Sequence, residues 1–372
     1  MQNAITLPEY PLLRDMWDEI REEKRPIVVY GMGNGADKLF SRLAEIGVTP
    51  SDIFASDGFV RGHSYRGMRV KSFSEIKETY SDFVILLSFA SNREEVLEML
   101  TEVDKKYDMY IPDMPVAGTE EYFDKEFYNS NYKDIIRAYE ALSDDRSRHI
   151  YASVIRYKLT GRMSYLEGAY STREELYSSL SSLGIECAID AGAYNGDTAR
   201  EMKEYLPTVR KIVAIEPDPK TYRRLLRYAQ GEGDITVEPV NAGVWCEVCD
   251  GEFQSSGNRN SSVNSTASFE YSVGGVKLIS IDSLGLRPDY IKYDVEGAEH
   301  EALVGSQGTI IRHAPALLVS LYHRSRDIFE LINYLSDNHP GYRLSLYRLR
   351  CVPAWELDLV AIPAPDKMPL AT

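Results

Sequence analysis

The sequence predicts an α/β protein with two Rossmann-like sheets of parallel strands, of which the second is larger and ends in an antiparallel hairpin. Two stretches alternate strand and helix patterns, and such alternation is typical of parallel sheets covered by helices. The length also predicts two domains, because 372 residues exceed the roughly 250 to 300 at which single hydrophobic cores stop growing. We expect a smaller amino-terminal Rossmann-like domain at residues 1–116, a helical connector at 117–183 and a larger Rossmann-like domain at 184–365.

The amino-terminal series consists of short apolar runs, which predict strands, separated by amphipathic stretches, which predict helices. Pro112 and Pro115 follow its last strand and close the series. The predicted strands cover residues 27–30, 53–55, 83–88 and 109–111, and the predicted helices cover 36–46, 73–80 and 92–106.

The connector changes to helical periodicity between residues 119 and 183, with helices predicted over 132–142 and 145–159. We interpret it as a helical link, and a role as a lid is left open. Its tyrosines could line a sugar site by stacking, but packing of amphipathic helices is the favoured explanation. These tyrosines include Tyr122, Tyr128, Tyr132, Tyr139, Tyr151 and Tyr157.

The second series starts at Cys187 and again alternates strand and helix patterns, which predicts a second parallel sheet. Asn, Gly and Ser crowd the polar stretch 254–268, so a loop is predicted there. The link 350–356 is too short for a parallel crossover, which predicts an antiparallel final hairpin. The predicted strands are 187–190, 211–215, 235–237, 276–281, 290–293, 316–321, 343–349 and 357–362, and the predicted helices are 198–205, 220–228 and 298–305.

Charge and composition narrow the function. The chain carries 42 Lys and Arg against 57 Asp and Glu, a net charge of −15 that would repel a phosphate backbone, so nucleic acid is not an expected partner. The first 17 residues have no apolar run of signal-peptide length, and no run suits a membrane span, which favours a cytoplasmic protein. Four scattered cysteines do not form a disulfide framework, and the Cys246/Cys249 pair lacks partners for a zinc site.

The first candidate site follows the strand at 187–190 and opens a helix, where backbone amides and the helix dipole can meet a ligand. The spacing differs from the strict dinucleotide GxGxxG pattern, and an acid at the end of the strand suits a cationic cofactor better than a pyrophosphate. Asp190 could equally be a turn or helix-capping residue. The loop comprises Asp190, Gly192, Ala193, Tyr194, Gly196, Asp197 and Thr198.

Two further groups of acids lie at later strand ends. Glu216, followed by Pro217, ends the next strand, where a carboxylate can accept hydrogen bonds from a ribose diol. Lys292, Asp294 and Glu296 end a later strand, at the edge where open α/β sheets bind ligands. A solvated helix start explains Glu299 adequately, but Asp294 and Glu296 less well.

At these residues the sequence resembles the FkbM family of methyltransferases. The similar segments are 189–198, 215–218, 240–243 and 291–299, in the family order, and Asp282 and the Tyr322-His323 pair also fit the pattern. The resemblance covers 187–363 and implies a class I methyltransferase fold that binds S-adenosylmethionine. It implies that Asp190 and Gly192 lie near the methionine part, Glu216 near the ribose, and Asn241, with Ala242, near the adenine.

Members of that family methylate hydroxyl groups, often on sugars, glycolipids or polyketide-type products, so a small-molecule or glycan acceptor and a role in polysaccharide biosynthesis are expected. A hydroxyl acceptor gains from a base, worth typically 10²- to 10⁴-fold in rate. Asp294 and His323 are joint candidates for this base, with Glu296 and Lys292 beside them. No metal is expected, although Mg²⁺ on Asp294, Glu296 and Asp282 would be chemically feasible.

The amino-terminal domain carries a second ligand-type loop, with Gly31, Gly33 and Gly35 after a strand and Asp57 after the next. This region looks like the nucleotide-binding-like domains attached to sugar-modifying acyltransferases, so it could hold a nucleotide or nucleotide-sugar, or only support assembly. Two other functions remain open: an NAD-dependent oxidoreductase that uses this loop, and a non-catalytic interaction protein. A homodimer is also left open.

Overall fold

The computed structural model describes residues 5–364 except 61, 63, 118–120, 232, 255–261 and 265–274. Its helices are α1 (Met16–Glu22), α2 (Asn34–Glu45), α3 (Phe73–Thr79), α4 (Glu94–Asp104), α5 (Lys125–Ala141), α6 (Asp145–Thr160), α7 (Arg173–Ser181), α8 (Asp197–Tyr205), α9 (Pro219–Gly231), α10 (Glu299–Val304), α11 (Gln307–His313) and α12 (Asp327–Asn338).

The strands fall into the two predicted series and several short additions. They are β1 (Ile27–Tyr30), β2 (Asp52–Ala55), β3 (Ser64–Tyr65), β4 (Met68–Arg69), β5 (Lys71–Ser72), β6 (Val84–Leu87), β7 (Asp108–Tyr110), β8 (Cys187–Ala191), β9 (Lys211–Ile215), β10 (Thr236–Val240), β11 (Gly243–Val244), β12 (Cys249–Gln254), β13 (Ser262–Asn264), β14 (Gly275–Ile279), β15 (Tyr290–Tyr293), β16 (Ala316–Ser320), β17 (Tyr342–Arg348) and β18 (Leu357–Pro363).

The first sheet has the order β5-β2-β1-β6-β7, and all its neighbouring strands are parallel. Its central strands β1 and β6 are apolar or aromatic at every position and buried throughout, as strands covered on both faces must be. The predicted amino-terminal parallel sheet is therefore confirmed, with β5 as an additional short edge strand.

The second sheet has seven strands in the order β10-β9-β8-β15-β16-β18-β17. The first five strands in this order are parallel to one another, whereas β18 is antiparallel to both β16 and β17. The predicted antiparallel final hairpin is confirmed, and with it the α/β fold class. The hairpin is inserted with its second strand innermost, so β18 and not β17 lies against the parallel strands.

The loop predicted over residues 254–268 is wrong where that stretch is described. The segment β12 pairs antiparallel with β13 and with β14, and β14 also pairs with β11 in a small separate sheet. Buried Val276 and Leu278 on β14 give this sheet an apolar face, and pairing with it outweighs the low strand propensity of a polar segment. Residues 255–261 and 265–268 of the predicted loop lie outside the described residues.

The helices of the connector pack into the core. The helix α5 packs against α12, and α6 packs against the edge strand β17. The side chains of Tyr128, Tyr151 and Tyr157 are fully buried. One apolar cluster extends from the first sheet through these helices to the second sheet.

Across the part of the chain that the structure describes, no helix is long and apolar enough to cross a membrane.

Candidate active site

A cavity of about 400 Å³ opens at the carboxyl ends of the parallel strands in the second sheet, beside α7. Most of the predicted site residues line it, although they come from five separate strand ends. Asp190, Ala193 and Gly196 are buried and do not line it, and Asn241 is exposed outside it. The predicted residues on the surface are Gly192, Tyr194, Asp197, Thr198, Glu216, Pro217, Ala242, Lys292, Asp294, Glu296 and His323.

The loop after β8 requires a glycine at residue 192. Gly192 has φ +88°, and a Cβ atom there would collide with the carbonyl oxygen of Asp294 on the neighbouring strand end. The amides of Gly192 and Ala193 both donate to the carbonyl of Ile215, at 3.0 and 2.9 Å. The loop is therefore fixed between two strand ends, close to the cavity.

Asp190 is buried behind this loop without direct hydrogen bonds. Its side chain is fully buried, neither carboxylate oxygen has a hydrogen-bond partner, and Lys292 Nζ lies 3.7 Å from Oδ1. Burial raises the pKa of Asp190 to about 6, although the Lys292 charge opposes this. Helix α8 is preceded by Gly196 rather than capped by an acid, so Asp190 does not act as a helix cap.

Glu216 ends β9 and faces the cavity. Burial raises the pKa of Glu216 to about 8, even though its carboxylate accepts a hydrogen bond from the Asp218 amide at 2.8 Å. The Asn241 side chain donates to the backbone carbonyls of Glu216 and Pro217, at 2.8 and 3.1 Å. Asn241 thus holds the turn that presents Glu216.

The carboxylate of Asp294 is held by two donors. Lys292 Nζ donates to Oδ2 at 3.0 Å, and the Tyr322 hydroxyl donates to Oδ1 at 3.2 Å. Burial alone would raise the pKa of Asp294, but the charges of Lys292 and His323 outweigh it and lower the pKa. The pKa of Lys292 is raised in return, since the carboxylates of Asp294 and Asp190 outweigh its burial. Asp294 is therefore ionised at neutral pH.

His323 lies among three carboxylates at the end of β16. Its Nδ1 is 2.9 Å from Glu299 Oε1, and its Nε2 is 3.5 Å from both Asp294 Oδ1 and Glu296 Oε2. Burial alone would lower the pKa of His323, but Glu299 and Glu296 outweigh it and raise the pKa to about 10. The imidazole therefore holds two protons at neutral pH.

Glu296 adopts a backbone conformation that few non-glycine residues adopt, with φ 55°. Two other cavity residues, Tyr194 with φ 44° and Glu356 with φ 59°, share this feature. Burial raises the pKa of Glu296 to about 8. Strained backbone of this kind tends to cluster at functional sites.

The final hairpin brings to the cavity acids that the sequence motifs do not reveal. Asp358 on β18 is buried there, and Ser320 Oγ on β16 donates to its Oδ1 at 3.1 Å. Burial raises the pKa of Asp358 to about 7, and Glu356 and Asp294 add to this. A single acid inside an otherwise apolar strand pattern was the signal that could have revealed it.

Asp282, the third magnesium ligand considered with Asp294 and Glu296, does not line the cavity in which those two residues lie. Asp282 accepts hydrogen bonds from the Gly308 and Thr309 amides, at 2.9 and 2.6 Å, and so stabilises the start of α11. Among the described residues, ligand atoms of Asp294, Glu299 and His323 do lie within 4.8 Å of one another. Metal binding there would require His323 to release a proton, since a metal ligand must be a neutral imidazole.

In the amino-terminal sheet, packing explains Gly31 and Gly35 of the glycine loop. A Cβ atom on Gly31 would collide with Ser88 and Phe89, and one on Gly35 would collide with the Ser88 carbonyl. Asp57 accepts from the Phe73 amide at 2.9 Å and the Ser74 hydroxyl at 3.0 Å, so its carboxylate stabilises the start of α3.

The seven-stranded sheet with an inserted antiparallel strand, and an acid-rich cavity at the carboxyl ends of its parallel strands, define a class I methyltransferase fold. Residues 190–344 match the family model for the methyltransferase FkbM domain. The family resemblance seen in the motifs is therefore confirmed for this part of the chain.

A solved structure shares the fold over nearly the whole chain. A methyltransferase FkbM from Methylobacillus flagellatus KT is 19% identical, with a TM-score of 0.69 over 97% of this chain and 95% of that one, so both sheets are shared. An rRNA methylase from Streptococcus thermophilus is 11% identical, with a TM-score of 0.36 over 52% of this chain and 98% of that one. No curated protein matches the chain.

Proposed function

We propose that this methyltransferase uses S-adenosylmethionine and transfers its methyl group to a hydroxyl oxygen of a small-molecule or glycan acceptor. The observation that supports this most is the cavity at the carboxyl ends of the sheet, where a glycine-dependent loop, a buried acid without hydrogen-bond partners and a second strand-end acid converge. A cavity of about 400 Å³ falls in the range of small-molecule cofactor sites.

The residues present suit a cationic cofactor. Asp190 is a buried carboxylate without hydrogen-bond partners, and the ionised carboxylate of Asp294 lines the cavity. Gly192 would let the backbone approach the methionine part, and Glu216 would accept hydrogen bonds from the ribose. When bound, the cofactor supplies a methyl carbon already activated by its sulfonium sulfur.

The protein's own contribution is to orient the acceptor and take up its proton. Asp294 is ionised and held in place by Lys292 and Tyr322, so it can accept a proton at neutral pH. His323, with a pKa of about 10, first has to lose a proton. Electrostatics thus favour Asp294 as the base and give His323 the role of positioning Asp294 and Glu296.

We expect Asp294→Asn to lower turnover by about 10²- to 10⁴-fold, because the amide cannot take up the acceptor proton. His323→Ala should also lower turnover, while both variants should bind the cofactor nearly as well as the wild type. Release of S-adenosylhomocysteine and calorimetry measure the two effects separately. Normal turnover in both variants would remove these residues from the mechanism.

The experiment that tests the proposal is isothermal calorimetry with S-adenosylmethionine and then with NADH. Glu216→Ala should abolish or strongly weaken binding of the first ligand. Glu238→Ala is the matched control, because Glu238 on the adjacent strand β10 is half-exposed and pairs with Lys211. Binding of NADH alone would overturn the proposal and direct attention to Gly31, Gly33, Gly35 and Asp57.

For the amino-terminal sheet we propose a supporting role. Gly31 and Gly35 are explained by packing, and Asp57 already accepts hydrogen bonds at the start of α3, which favours support over nucleotide binding. Calorimetry with a nucleotide-sugar on the Glu216→Ala variant tests this, since binding that persists there would assign the ligand to the first sheet.

A further inference from the structure

A second cavity of about 390 Å³, which we call the groove, adjoins the first and is formed by three separate parts of the chain. Asn92 and Glu94 come from the start of α4 in the amino-terminal part, and residues 170–173 come from the connector. The third wall is Leu349, Arg350 and Glu356, from the link between β17 and β18. Because Arg173, Leu349 and Glu356 line both spaces, the groove is continuous with the first cavity.

Hydrogen bonds between residues adjacent to the lining hold the walls of the groove in place. Ser91 and Val352 exchange two backbone hydrogen bonds, at 2.8 and 3.0 Å, which join the amino-terminal wall to the link. Arg348 is buried and donates to the carbonyls of Leu166, Ala169 and Cys351, at 2.7, 2.8 and 3.2 Å. A preformed space of this kind binds a ligand with little ordering cost.

Two guanidinium groups and three carboxylates, those of Glu94, Glu356 and Glu201, surround the groove. Arg350 pairs with Glu94 inside it, and Arg173 pairs with Glu201 of the first cavity at 2.5 Å. Since each guanidinium already has a carboxylate partner, the groove offers no excess positive charge to hold a phosphate or carboxylate. Its polar side chains instead offer several hydrogen-bond donors and acceptors to an uncharged ligand.

The groove also contains an aromatic ring that is open to solvent. Tyr170 is 42% exposed, and the Arg350 guanidinium lies 5.7 Å from its ring centre. An exposed ring beside carboxylate and amide groups can pack against the apolar face of a ligand ring while the polar groups bind its hydroxyls. We propose that the groove is the acceptor subsite and takes an uncharged ring compound with several hydroxyl groups, of the pyranoside type; this rests on the proposed function.

The test uses full-length protein saturated with S-adenosylhomocysteine, whose binding is first measured by calorimetry. A panel of neutral methyl pyranosides and the corresponding glycosyl phosphates is then examined by saturation-transfer NMR. Tyr170→Ala should weaken pyranoside binding about three- to tenfold, because it removes the ring face. Asn92→Trp should abolish binding by filling the groove. Tyr10→Ala is the matched control, because Tyr10 is 56% exposed and stacks on Tyr132, outside the groove.

Pyranoside binding that both groove variants lose and the control retains would support the subsite. Absence of pyranoside binding to the wild type, equal binding by all variants, or tighter binding of the glycosyl phosphates would overturn it. If S-adenosylhomocysteine itself does not bind, the proposed function fails instead. The panel is then run on the protein alone, with the same outcomes deciding on the groove.

Discussion

At the residue scale, the cavity holds acids that are protonated at neutral pH. Burial raises the pKa of both Glu216 and Glu296 to about 8, so each carries a proton at pH 7. Hydrogen bonds donated to a carboxylate, or a nearby positive charge, favour its ionised form. Binding of a sulfonium cofactor should therefore drive these acids to release protons.

We expect cofactor binding at pH 7 to release about one proton from Glu216, and affinity to rise between pH 6 and pH 8 as that proton is lost before binding. Calorimetry in buffers of different ionisation enthalpy counts the released protons. Glu216→Gln should lower the count by about one, whereas Glu238→Gln should leave it unchanged. Binding heats that do not depend on the buffer would contradict this role of Glu216.

The residues at the ends of parallel strands could be predicted from the sequence, and those of the hairpin could not. Glu216 and Asp294 each directly follow an apolar run, so the edge of the sheet places them together. Asp358 lies inside a strand, and its exposure to the cavity depends on β18 being inserted beside β16. The protonation of His323 likewise depends on distances to Glu299 and Glu296 that spacing along the chain does not give.

At the scale of elements, the loop between β8 and α8 depends on one glycine. Gly192→Ala should cost about 3 kcal/mol or more of unfolding free energy, since it adds a collision with the Asp294 carbonyl to the strain of a positive φ. Gly47→Ala is the matched control, because Gly47 has φ +73° with open space around it. Urea denaturation should show a loss of about 1 kcal/mol for the control. Equal losses would contradict the collision.

The strand β17 carries a buried arginine, Arg348, whose hydrogen bonds should contribute to stability. Arg348→Met should cost about 3 kcal/mol, because three backbone carbonyls lose their donors at about 1 kcal/mol each. Arg343→Met, at an exposed position of the same strand, should change stability by less than about 0.5 kcal/mol. Urea denaturation compares the two, and a small effect at Arg348 would show that water replaces its hydrogen bonds.

Elements with strong apolar runs were predictable, and elements that exist through pairing were not. The predicted strands at 27–30, 211–215 and 290–293 coincide with β1, β9 and β15. The strand β13 and the last residue of β12 lie in the stretch 254–268, whose composition predicts a loop, and β12 joins them to its partner strand β14. Local sequence carries no information about such a partner.

At the scale of the whole molecule, the two sheets share one apolar core through α5 and α6. The bridge between Ser91 and Val352, and the bond from the Ala117 amide to the His323 carbonyl at 2.9 Å, add connections across the proposed domain boundaries. These contacts favour one cooperative unit over two independent domains.

We therefore expect a single thermal unfolding transition, with far-ultraviolet circular dichroism and tryptophan fluorescence giving the same midpoint. Val352→Pro removes the amide that donates to Ser91 and should shift the whole transition to lower temperature. Two transitions, of which only one moves in the variant, would show that the sheets unfold independently.

The position of β18 also has a consequence for the order in which the protein assembles during synthesis. Residues 357–363 lie between β16 and β17, although both of those strands are synthesised earlier. Until this segment has left the ribosome, β16 is an open edge and β17 has no place in the sheet. The nascent chain can thus form its amino-terminal sheet early, whereas the wall that carries Asp358 closes last.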